Sequence, residues 1–162
     1  MNRNNSQTNG LQSVPQVAKI SKSPFEQANR GKFMLDRALA LHELGFHIFP
    51  LGSPYEGDLP DYIIQRFGSD EEAKAQWPKT PRISWAEYQT RPPTEEEVRK
   101  WWTDWPMANI AIVTGIQIDV IDADSDEAVA WCRSGAITRT PWENRTGRGT
   151  QFLFRKSGMD IR

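Results

Sequence analysis

The chain has 162 residues, enough for one domain, or part of one, with a usable core. Its formal net charge of −1 excludes a global basic field for duplex DNA, so any nucleic-acid contact must come from a local patch. The single cysteine, Cys132, excludes an internal disulfide and any cysteine-based zinc site made by this chain alone. No signal peptide or long apolar run is visible, so the expected compartment is the cytoplasm, with no membrane contact. Seven tryptophans point to large core anchors or a stacking surface.

Residues 1–25 are rich in Asn, Gln and Ser without an apolar period, and read as a disordered tail ahead of a domain over 26–162. Phe33, Leu35, Ala38, Leu39, Leu41 and Leu44 mark an amphipathic helix over 33–44, with Gly45 as its stop. A short apolar strand follows over 46–51, where Pro50 marks an end or an edge. Residues 53–77 read as an irregular insertion with a short helix near 60–67. Thr94-Glu-Glu-Glu97 is a capping box that opens a helix over 94–105, ended by Pro106. Strands are expected over 108–113 and 116–121, split by a turn at Thr114-Gly115. Ser125 caps a helix to Arg133, with Asp126 and Glu127 in its first turn. TQFLFR, residues 150–155, alternates polar and apolar and reads as a further strand.

The stretch from Asn109 to Ser125 carries the chemistry. It is apolar and β-rich, and it ends in two carboxylates, Asp122 and Asp124. On a strand, residues i and i+2 share a face, so the two leave the sheet side by side. Like charges this close repel unless a cation lies between them, and paired carboxylate oxygens suit Mg²⁺ or Mn²⁺. Asp124-Ser125-Asp126 also suits a helix cap, so Asp124 carries both readings. Trp102 and Trp105 are expected in the core, and Trp101 is open between core and base stacking. His42 and His47 read as structural or exposed, and Cys132 as a small buried hydrophobe. Lys79 to Pro81 reads as a solvated loop.

Seven pieces in order resemble the bifunctional DNA primase/polymerase domain of plasmid and phage replication proteins, in the archaeo-eukaryotic primase superfamily. They are LALHELGFHIFPL from Leu39, PKTP from Pro78, Trp85, TEEEVRKWWTDWPMANIAIVTG from Thr94, VIDADS from Val120, TGRGTQFLFR from Thr146 and the final MDIR. The resemblance implies an α/β or α+β core with a central mixed sheet flanked by helices. It implies that Asp122 and Asp124 ligate Mg²⁺ or Mn²⁺, with Asp160 as a third catalytic carboxylate. It implies nucleotide binding by Arg148, Gly149 and Gln151. Gln151 stands where the family's pattern has a histidine; a glutamine donates a hydrogen bond to phosphate but carries no charge. Arg148 supplies the charge instead. The family's domain also continues past the MDIR segment, so a C-terminal part is expected to be missing.

The implied activity is metal-dependent primer synthesis and extension on a single-stranded template in plasmid or phage replication. Its expected partners are nucleoside triphosphates, single-stranded DNA and a replicative helicase domain or protein. Trp101, Trp102, Arg99, Lys100, Lys79 and Arg82 are candidates for the template path. Two alternatives stand beside this: a catalytically incomplete module of the same fold that binds nucleotide or single-stranded DNA, and a nuclease or other phosphotransferase using the same carboxylates.

Overall fold

The computed structural model describes residues 24–156, so Asp160 and the greater part of the expected tail lie outside the described residues. Helix α1 (Pro24–Glu43) starts well before the apolar stripe that predicts it. Its first turns hold Glu26, Gln27, Ala28, Arg30 and Lys32, which have no apolar period but favour helix on propensity. The expected stop at Gly45 is present. Its φ is 80°, its amide donates to the His42 carbonyl at 2.8 Å, and the Phe46 amide donates to Leu41 at 3.1 Å. This paired closure satisfies two orphan carbonyls at the helix end.

Strand β1 (Ile48–Leu51) follows and pairs antiparallel with β2 (Asn109–Ile112), Ile48 opposite Ile112 and Leu51 opposite Asn109. Between them lie three further α-helices and two short 3-10 turns. The stretch expected to be irregular contains α2 (Asp61–Phe67) and α3 (Asp70–Gln76). The second has a legible start that the expectation passed over: the Ser69 hydroxyl accepts the Glu72 amide at 3.2 Å, an N-cap ahead of three acidic residues. Both helices pack on Trp77 through Ile63 and Ala73. Arg82 then ties this insertion down, ion-paired with Glu56 and lying 4.7 Å from the Trp77 ring and 5.1 Å from the Trp105 ring.

Helix α4 (Glu95–Asp104) forms the predicted capping box with both halves in place. The Glu97 amide donates to the Thr94 hydroxyl at 3.2 Å, and the Thr94 amide donates to the Glu97 carboxylate at 2.7 Å. The main core is built where α4 meets α1 and the first sheet: Ala38, Ile48, Phe49, Tyr88, Val98, Trp101, Trp102, Ala108 and Val113. Trp101 and Trp102 are both core residues, which closes the choice left open for Trp101. The Trp102 indole N–H donates to the Ala108 carbonyl at 3.1 Å, so its one polar atom is satisfied inside.

Glu97 is also the hub of a charged network on this core's rim. Arg91 grips its carboxylate with two N–H donors at 2.7 and 2.8 Å, and the Tyr88 hydroxyl donates to it at 3.0 Å. The Arg91 hydrogen bonds, with help from the Thr94 amide and Tyr88, hold the Glu97 carboxyl down to about 2 from an ordinary 4.5. A depressed carboxylate adds stability that is present above the unfolded value and lost as pH falls through the folded one. Stability is therefore expected to decline between about pH 4.5 and pH 2. Glu97→Gln is expected to be less stable at neutral pH and to show a shallower acid decline in denaturant melts at stepped pH.

The remaining strands form a second, three-stranded antiparallel sheet in the order β3 (Ile118–Ala123), β5 (Thr150–Arg155), β4 (Glu143–Arg145). Helix α5 (Asp126–Trp131) and the wider turn after it cover one face, where Ala123, Cys132 and Phe152 make a small core. Cys132 is buried, as its size predicts. The fold is thus the expected mixed α+β class, with its strands divided between two small antiparallel sheets. The Gln117 side chain, bonded to the Gly45 carbonyl, links the second sheet to the end of α1.

Candidate active site

Asp122 sits on β3 directly opposite Gln151 of β5, and Gln151 sits opposite Asn144 of β4. Alternation puts these three on one sheet face and Ala123, Thr150 and Phe152 on the other. The side chains connect: the Asn144 amide donates to the Gln151 carbonyl oxygen at 3.0 Å, and the Gln151 amide donates to Asp122 Oδ2 at 3.3 Å. Asn144 thereby orients the glutamine so that its N–H₂ group faces the carboxylate. Sequence reasoning missed Asn144, because the three-residue strand that carries it is polar, exposed and without alternation.

Asp124 lies one residue beyond the end of β3. It is not the helix cap. Ser125 fills that position, its hydroxyl accepting the Ala128 amide at 3.2 Å. Asp122 and Asp124 are both exposed, and neither forms an ion pair with Lys or Arg among the described residues.

The glycine turn lies against the end of β3 that carries these carboxylates. Gly149 packs backbone against backbone on the end of β3. A Cβ there would overlap the Ala123 carbonyl oxygen and come within 2.9 Å of the Ala123 carbonyl carbon and 3.2 Å of the Asp124 Cα. Only glycine admits this approach. The turn is closed by the Thr146 hydroxyl, which accepts the Gly149 amide at 3.0 Å.

Beside this turn an open, polar cleft of about 430 Å³ is lined by Asp126, Arg133, Arg145, Arg148 and Gly149, among others. Arg133 is paired with Glu143 at 2.7 Å, while Arg145 and Arg148 carry no ion pair among the described residues. Arg148 and Gly149 therefore line the cleft at the sheet end, and Gln151 stands on the face that bears Asp122. Arg145 and Arg133 join the set; their spacing from the glycine turn gave no signal in sequence.

Several other candidates are committed elsewhere. Arg99 pairs with Glu95 and Lys100 with Asp104 along the surface of α4, and Arg82 is held by Glu56. His47 is buried, its Nδ1 2.6 Å from the Tyr88 carbonyl.

Mg²⁺ is ordinarily held by one or two carboxylates completed by water and substrate phosphate. Asp122 and Asp124, exposed and without a competing cation, suit that donor set. Among the described residues no group of three or more His, Cys, Asp and Glu is placed to hold a metal ion.

An α+β domain with carboxylates at a strand end, packed against a glycine turn beside an arginine-lined cleft, is the class of protein these features define. The family model for the bifunctional DNA primase/polymerase N-terminal domain matches residues 38–162, and the chain belongs to that family. Its function is accordingly of the DNA primase/polymerase type, with nucleotide and DNA as the corresponding substrates, and domains of this family are generally metal-dependent. No curated protein and no solved structure matches the chain. No helix among the described residues is long and apolar enough to cross a membrane.

Proposed function

We propose that the chain is a metal-dependent nucleotidyltransferase that makes and extends primers on single-stranded DNA in plasmid or phage replication, in the cytoplasm and alongside a replicative helicase. The observation that carries this reading is the register of β3 and β5, which pairs Asp122 with Gln151 within a chain of this family. Asp122 and Asp124 would hold Mg²⁺ or Mn²⁺, with Asp160 as a third carboxylate. Bound there, the ion would supply a lowered pKa for a 3′-hydroxyl and neutralising charge for a pyrophosphate leaving group. Arg148, in the turn at the end of the sheet, would hold the triphosphate through charge and paired N–H donors. Gln151 donates one N–H to Asp122 and has a second for a phosphate oxygen. Gly149 keeps the turn close enough for these contacts.

A second reading, a nucleotide- or single-strand-binding module without full chemistry, is favoured by the neutral Gln151 in the histidine's place. Nucleotide incorporation on a single-stranded template with Mg²⁺ or Mn²⁺ separates the two. Wild type is expected to incorporate, and the Asp122→Ala, Asp124→Ala double variant is expected to lose incorporation. Wild type that binds nucleotide without incorporating it would select the binding module. Consumption of template without added nucleotides would select a nuclease.

A further inference from the structure

Trp142 is 49 % exposed, leaving much of a large apolar ring on the surface. Its backbone is nevertheless fixed. The Leu153 amide donates to the Trp142 carbonyl at 2.9 Å, the Trp142 amide donates to the Thr140 hydroxyl at 3.1 Å, and that hydroxyl donates to the Leu153 carbonyl at 2.6 Å. These bonds extend the β4–β5 ladder by one residue, setting Trp142 beside Leu153. Alternation then places Trp142 on the same face as Asn144, Gln151 and Asp122. The cavity of about 280 Å³ on the opposite face agrees, since it is lined by Glu143 and Phe152 but not by Trp142.

This face is therefore ordered in rows. Asp122, Gln151 and Asn144 form a polar row. Val120 and Leu153, both half-buried, form an apolar row beside it that ends in Trp142. Trp142 lies two strands and one row from Asp122, or about 12 Å between Cα positions from standard sheet spacings. That separation, narrowed by the two side chains, matches the reach of a nucleotide from its phosphates to its base.

We propose that Trp142 is the platform on which the base of a bound nucleoside triphosphate stacks. The proposal rests on the reading that the Asp122 face holds the nucleotide. An indole face offers no donor or acceptor to the base edges, so the platform accepts all four bases alike and leaves selection to the template. The fixed backbone lowers the entropy cost of the stack, because only the two side-chain torsions of Trp142 remain to be ordered.

The test measures equilibrium binding of dATP and of inorganic tripolyphosphate, which has no base, to the full chain with Mn²⁺. Trp142→Ala is expected to weaken dATP by about 5- to 150-fold, the range of one base–aromatic stack, and to leave tripolyphosphate unchanged. Trp142→Phe, which keeps a ring, is expected to hold dATP within a few-fold of wild type. Asp122→Ala is expected to weaken both ligands. Unchanged dATP binding in Trp142→Ala, or equal loss of dATP and tripolyphosphate in both Trp142 variants, overturns the platform and leaves the Asp122 reading standing. Wild type that binds neither ligand overturns the Asp122 reading and the platform with it.

Discussion

Asp122→Asn is expected to lower metal-dependent nucleotide incorporation by more than about 100-fold. Loss of an outer partner of a metal ligand already costs about 10- to 100-fold, and a ligand itself should cost more. The substitution keeps the shape of the side chain and removes only its charge. Asp122 is exposed and its single described contact is the Gln151 amide, so the fold should hardly notice, with a change within about 0.5 kcal/mol. Incorporation and thermal melting measured on the same preparation separate chemistry from folding. An active Asp122→Asn enzyme would remove Asp122 from the metal site.

Gly149→Ala is expected to produce the largest loss of stability at the site. Overpacking normally costs about 1–3 kcal/mol, because flexible side chains can give way. Here the new methyl would meet the main chain of Ala123 and Asp124, which cannot move without opening the β3–β5 ladder. A cost of about 3 kcal/mol or more follows, which lowers Tm by about 6–12 °C for a chain of this size. Gly147→Ala, two residues away, is the matched control. A Cβ there meets nothing within 4 Å, and Gly147 does not have a positive φ. It should be neutral or stabilise by up to about 1 kcal/mol. Equal melting of the two variants would mean that the close approach at Gly149 contributes nothing.

Much of this domain was legible from local rules. The Thr94 capping box, the Gly45 stop, the Ser125 cap and the 150–155 strand depend on a few neighbouring residues, and each formed where it was expected. Asp122 and Asp124 stood out because carboxylates are conspicuous after an apolar run. What escaped depends on partners distant in sequence. Strand β4 has no apolar period of its own and becomes a strand only because β5 offers a free edge. Asn144, Arg145 and Trp142 gain their positions from that pairing. Helix α3 was overlooked for a different reason: its apolar content is low, and its burial comes from Trp77, which follows it. Arg99 and Lys100, offered for a template path, each carry an exposed i,i+4 partner on α4, a pairing the sequence spacing already allowed.

An amide opposite Asp122 takes up no proton at any acidity a living cell reaches. A histidine in that place would change charge near pH 6.5, and its hold on a phosphate would slacken as the surroundings turned alkaline. The linked amides of Asn144 and Gln151 keep the same charge and the same donors through acid stress and recovery. Whatever contact this amide pair makes with a phosphate would be the same in acid as in neutral solution.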